Sequence, residues 1–164
     1  MRWFDRLFFW RTSVDRASFA PTGGDEVDPR TEVIPLAGGY TGKTYYEVAD
    51  MWARERLSTR RILLEILDGK RGLQDAHEIP ADFQCDIGVW MRFVQPGAET
   101  QRALDDLRIW HAQWHDATNQ IIDSMSAGDF GYASRSLSTR SGPWYYAARK
   151  VDRHLEELWA KKTL

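Results

Sequence analysis

A single cysteine, Cys85, stands among 164 residues, so no internal disulfide can staple the fold. Long apolar runs are missing too. Leu7-Phe8-Phe9-Trp10 near the start falls far short of the ~20 residues a membrane-spanning helix needs. It is equally short for a signal-peptide core, and no small-residue cleavage site follows it. These absences lead us to expect a cytoplasmic protein with a reduced thiol. Neither sign of charge prevails: 22 Lys and Arg face 24 Asp and Glu, for a net charge of -2. That excludes the broad basic field of a non-specific nucleic-acid binder, and no nucleic-acid partner is expected. No nucleophile triad or dinucleotide fingerprint is visible. Gly39-Tyr40-Thr41-Gly42-Lys43-Thr44 superficially resembles a phosphate loop. It lacks the four-residue gap between glycines and follows no apolar strand. Alternating apolar and polar residues, the mark of a strand, are absent throughout.

What the chain has in quantity is tryptophan, eight residues in all. Each carries a large apolar area and an N–H that seeks a partner, which suits helix packing or an interface. In residues 1–16, Trp3, Phe4, Leu7 and Phe8 recur at helical spacing, with Arg2, Asp5 and Arg6 between them. The spacing predicts a short amphipathic helix. Its aromatics beside Arg2, Arg6 and Arg11 suit an anionic bilayer, giving peripheral contact at the inner membrane through residues 2–11. The same face would also suit packing on the main domain or on a partner. Residues 17–44 are punctuated by Pro21, Pro29, Pro35, Gly23, Gly24, Gly38, Gly39 and Gly42, and read as a flexible linker.

From Tyr45 onward the pattern is helical. Val48, Trp52, Thr59, Ile62, Leu63, Ile66 and Leu67 recur at three and four, and Gly69 stops the run. A loop with Pro80 leads to a short helix through Trp90 and Phe93, broken by Pro96 and Gly97. The longest helix is expected from Glu99 to Met125, with Gly128 at its end and a short piece through Phe130 and Leu137 after it. Pro143 suits the first position of a last helix through Val151, Leu155 and Leu158. The expected fold is all-α: a four-helix-bundle-like single domain over 45–164, preceded by the extra helix and linker.

His111 and His115 sit four apart, so both project from one face of the long helix. They share a stripe with Leu104, Leu107, Thr118, Ile122 and Met125. Buried imidazoles need hydrogen-bond partners or a metal, and an i, i+4 pair is a two-point chelate. Cys85 adds a soft ligand of the kind zinc prefers, although a free cysteine alone reads as a small buried hydrophobe. His77, in the loop before Cys85, and His154, flanking the last helix's apolar face, could substitute as ligands, but both are expected as solvated surface residues. Asp105, Asp106 and Asp116 fall on the exposed side of the long helix. Trp110 and Trp114 flank the histidine pair, and Trp144-Tyr145-Tyr146 opens the last helix.

Cys85-Asp86-Ile87-Gly88-Val89-Trp90 resembles the Cys-x-(Leu/Phe)-Gly-x-Trp motif of the bacterial chemoreceptor zinc-binding (CZB) domain. His111-Ala112-Gln113-Trp114-His115 falls where that family has its His-x-x-x-His pair, 26 residues after the cysteine. The resemblance covers Asp50 to Leu158. It implies a four-helix bundle with one buried zinc held by three histidines and one cysteine. Such modules sense zinc or oxidants such as hypochlorous acid and regulate chemotaxis receptors or diguanylate cyclases. Carried over by position, Cys85, His111 and His115 are ligands.

The chain departs from that family in its first helix, where no histidine lies between Tyr45 and Lys70. The family's position falls on Glu55, or on Arg56 if the loop differs by one. Glu55 shares the inward face with Val48, Trp52, Thr59 and Ile62. It would complete a Cys-His-His-Glu site, since zinc accepts carboxylate oxygens. An inward Arg56 would instead oppose a cation. Glu55 paired with Arg56, Arg60 or His111 would leave a metal-free network.

The expected function is a non-enzymatic sensory or regulatory module with a buried Zn²⁺. It would answer zinc or oxidants and signal through a protein partner, in chemotaxis or cyclic-di-GMP signalling. Zinc would keep Cys85 as thiolate and tie helices together, and oxidation or metal loss would loosen them. No methyl-accepting coiled coil, GGDEF or kinase segment is present in the chain, so output is expected to pass to another protein. A homodimer stays open. Two rivals remain: a metal-free interaction module of the same fold, and a metal-dependent hydrolase with an open coordination position.

Overall fold

Thr44 opens the first long helix. Its Oγ1 accepts from the Glu47 N–H at 3.3 Å, while Glu47 Oε2 accepts from the Thr44 N–H at 2.7 Å. This reciprocal capping box satisfies two backbone donors that a bare helix start would leave unpaired. The helix, α1, runs Tyr45–Leu67. Gly69 ends it at φ +68°, a backbone state that costs glycine little. The Gly69 and Lys70 N–H groups turn back onto the Ile66 and Glu65 carbonyls, the pattern of a Schellman stop.

The computed structural model describes residues 28–31, 33–34, 42–95, 97–98 and 100–160. Four more α-helices follow α1: α2 Asp86–Phe93, α3 Gln101–Ser126, α4 Phe130–Ser138 and α5 Pro143–Ala160. Short 3-10 turns cover Pro29–Thr31 and Leu73–Glu78. No strand occurs among the described residues, and an isolated β-bridge joins Ile34 to Lys43. The all-α class and three long helices expected from periodicity are present, and Pro143 is the first residue of α5. No helix among the described residues is long and apolar enough to cross a membrane.

The expected amphipathic helix over 1–16, with the bilayer-facing residues 2–11, lies outside the described residues. So does most of the expected linker over 17–44. Where that stretch is described it lies on the helices: Ile34 is buried, and Tyr46 Oη donates to Asp28 Oδ2 at 3.1 Å.

The α3 and α5 helices pack along one another, and α1 lies against α2, α4 and α5. Five of the tryptophans fill the interior: Trp52, Trp90, Trp114, Trp144 and Trp159. Trp114 sits between Trp52 and Trp144, with ring centroids 4.9 and 5.5 Å away. The indole N–H of Trp144 donates to Thr118 Oγ1 at 3.0 Å, and that hydroxyl donates to the Trp114 carbonyl at 2.9 Å. Rigid, close-packed aromatics of this kind fix how α1, α3 and α5 face each other. The side chains that α1 and α3 turn inward are therefore held by a stiff frame.

Candidate metal centre

Cys85 occupies the N-cap of α2, where its sulfur accepts from the Gly88 N–H at 3.2 Å. Helix N-caps favour Ser, Thr, Asp and Asn, whose oxygens serve this purpose better than sulfur. A cysteine here places a thiol at the positive end of a helix dipole, the setting that favours a thiolate. The thiol also donates to the Asp82 carbonyl at 3.3 Å. Gly88 is obligatory for this close turn: a Cβ there would lie 1.6 Å from the Asp82 oxygen and 3.0 Å from the sulfur. The Cys-x-x-Gly spacing thus has a local physical cause.

His111 and His115 project from α3 toward that sulfur, and both are buried. Their rings meet edge to face at 4.6 Å, with Trp114 packed against His115 and Trp52 against His111. Glu55 reaches in from α1. Cys85 Sγ lies 3.4 Å from His111 Nε2. Glu55 Oε1 lies 3.6 Å from His111 Nε2 and 3.0 Å from His115 Nε2. One donor atom from each of the four residues falls within 4.8 Å of all the others. Metal–ligand bonds of about 2.0–2.3 Å in a tetrahedron set donor atoms about 3.3–3.8 Å apart, and the two separations from His111 Nε2, 3.4 and 3.6 Å, fall in that range. The four residues can hold a metal ion.

The orientation of the atoms is as informative as their spacing. His115 Nε2 and both Glu55 oxygens are buried with no hydrogen-bond partner, although the nitrogen and one oxygen are only 3.0 Å apart. Buried polar atoms are almost always satisfied, and leaving one unmet costs about 1–3 kcal/mol. A cation among them would meet the His115 nitrogen and a Glu55 oxygen at once.

Charge points the same way. Burial, then the Glu55 carboxylate, push the Cys85 thiol well above its ordinary value, and the Gly88 amide only partly opposes them. For Glu55, burial acts to raise the pKa, but the imidazoles of His111 and His115 outweigh it and hold the carboxyl below its ordinary 4.5. A carboxylate and a would-be thiolate therefore share one buried site. A bound cation is what allows both to be ionised there.

The choice between Glu55 and Arg56 is resolved by α5. Asp152 accepts from Arg56 Nη1 at 2.9 Å and from Trp52 Nε1 at 2.8 Å, turning the guanidinium away from the cluster. Arg60 donates to Tyr145 Oη at 3.1 Å and is likewise engaged elsewhere. His77 is exposed, as expected, on the Leu73–Glu78 turn. His154 corrects the expectation of a solvated residue: it is buried on α5, with Nδ1 2.9 Å from Glu157 Oε2. A carboxylate one turn along satisfies its ring and makes the burial affordable. Neither His77 nor His154 belongs to the cluster. Of the α3 stripe, Ile122 is only half-buried and Ile121 takes the core position. Asp105 and Asp116 are exposed, whereas Asp106 is half-buried. Trp110 is half-buried beneath Lys150, whose Nζ is 5.4 Å from the ring centre.

Comparison with protein families, with curated proteins and with solved structures finds no match for this chain.

Proposed function

We propose that Glu55, Cys85, His111 and His115 bind one zinc ion, and that the chain is a non-enzymatic regulatory module whose packing depends on it. The observation that carries this reading is the set of buried, unpartnered donor atoms on Glu55 and His115, facing one another without hydrogen-bond geometry. One sulfur, two imidazole nitrogens and a carboxylate oxygen make a borderline-soft, four-donor set of the kind zinc favours. The bound ion would supply fixed positive charge, letting Cys85 ionise at neutral pH. The chain's own groups do the rest. The Gly88 N–H holds the sulfur, the edge-to-face aromatics hold the imidazoles, and Asp152 keeps Arg56 outside.

The donors come from α1, the N-cap of α2, and α3, so a shared ligand would clamp three elements that otherwise meet largely through side chains. Losing it, through chelation or sulfur oxidation, would remove the cation that joins these donors, leave the buried Glu55 carboxylate without it, and loosen that clamp. A loosened helix pair is a signal that a protein partner can read. The resemblance to chemoreceptor zinc-binding domains supports an output in chemotaxis or cyclic-di-GMP signalling. Elemental analysis after loading with zinc and desalting tests the binding: one zinc per chain is expected, lost in Cys85→Ser and His115→Gln. No retained zinc would favour the metal-free interaction module.

A further inference from the structure

A cleft of about 350 Å³ opens between α1 and the segment from Pro80 to Asp86. Glu55 and Cys85 line it from opposite walls, one on α1 and the other at the start of α2. Neither His111 nor His115 lines it. Burial orders the lining by depth. Cys85 and the Glu55 side chain are almost fully covered and form the floor, while Arg54, Ser58, Gln84 and Asp86 are exposed and form the mouth. Away from the cleft the imidazoles are covered by buried indoles, Trp52 against His111 and Trp114 against His115.

We propose that this cleft is the route by which a divalent cation enters and leaves the cluster, crossing the Glu55–Cys85 edge last on entry and first on exit. The inference rests on the zinc-binding reading above. A hydrated cation must exchange water for protein donors one at a time, so oxygen donors along its path lower the cost of dehydration. Gln84 and Asp86 supply such oxygens at the mouth. Arg54, the one cation there, is 3.2 Å from Asp50 and has its charge offset. Glu55 is the hard, oxygen-bearing member of the donor set, and it is the one that faces the path. The two imidazoles, behind it, remain as the inner anchor. The Glu55 and Cys85 donors thus govern exchange as well as affinity.

The test is kinetic. Zinc-loaded chain is mixed with excess chromophoric chelator and zinc release is followed by stopped flow, with uptake measured separately on the metal-free chain. Ser58→Trp and Gln84→Trp narrow the mouth from its two sides, so that one serves if the other fails to fold. Gln120→Trp, on the exposed side of α3, is the control. Both mouth variants should slow uptake and release together by about tenfold or more, as a gate does, while the control leaves both rates unchanged. Their equilibrium affinity should stay within about twofold of the parent's, since a gate acts on both directions equally. Unchanged rates in a folded mouth variant, or equal slowing in the control, overturns the route. A change in affinity without matched changes in both rates also overturns it. If the parent chain takes up no zinc, the zinc-binding reading falls first and the route falls with it.

Discussion

Arg56 and Asp152 meet at 2.9 Å between α1 and α5, and this pair decides which of two adjacent residues faces the candidate centre. With Arg56 held outward, Glu55 alone presents its side chain to Cys85, His111 and His115. Asp152 also accepts from Trp52 Nε1, so one carboxylate sets the outer charge and anchors an indole that covers His111. Replacing Asp152 with Ala frees the guanidinium and leaves the indole N–H unmet. The ion pair is partly exposed and contributes little, ~0–1 kcal/mol, whereas the lost indole bond adds about 1 kcal/mol. Thermal unfolding of the metal-free chain should fall by a few degrees, about 2–4 °C for each kcal/mol. Zinc affinity, read by competition with a chelator, should fall as well. Unchanged affinity in the folded variant contradicts the steering role.

Gly88→Ala should be costly, because the added methyl would collide with the Asp82 carbonyl, which has no flexible side chain to yield. Forcing the turn open costs about 1–3 kcal/mol, and relieving it displaces the sulfur from its amide donor. Chemical denaturation should show that loss, and retained zinc should drop with it. Wild-type stability in Gly88→Ala contradicts the account of the turn.

The pH dependence of the metal-free chain follows from Glu55. Its carboxyl titrates lower in the fold than its ordinary 4.5, so the ionised form stabilises the fold above that value. The contribution is lost as pH falls from about 4.5 toward the folded pKa. Denaturation between pH 7 and pH 3 should show this acid limb, and Glu55→Gln should flatten it. An acid limb of the same size in Glu55→Gln assigns it to other groups.

Cys85 gives the opposite sign. Its thiol pKa is raised in the fold, so the metal-free chain keeps the proton on sulfur at neutral pH. Binding zinc must displace that proton. Titration calorimetry in buffers of differing ionisation heat should report about one proton released per zinc at pH 7, and affinity should rise with pH. No proton release would mean that sulfur is not a ligand.

Much of this architecture was legible in the chain because its signals are local. Apolar spacing at three and four, Pro143 and Gly69 marked helix bodies and ends within one or two residues. The i, i+4 pair His111 and His115 announced a shared face. Thr44-Tyr45-Tyr46-Glu47 is a capping-box signature that also fixes where α1 begins, and it is readable from spacing alone. What escaped sequence reasoning depends on distant partners. Whether Glu55 or Arg56 turned inward hung on Asp152, 96 residues away from Arg56. His154, by contrast, falls in the buried stripe with Val151, Leu155 and Leu158, a placement its spacing from Val151 and Leu158 could have shown. Ile34 sits among breakers that read as linker, yet it pairs with Lys43 and is buried.

X-ray absorption at the zinc edge, on the reconstituted full chain, tests the central claim most directly. One sulfur and three nitrogen or oxygen neighbours around zinc are expected, with the sulfur lost in Cys85→Ser. A zinc environment with no sulfur in the parent chain, or no bound zinc at all, would contradict it.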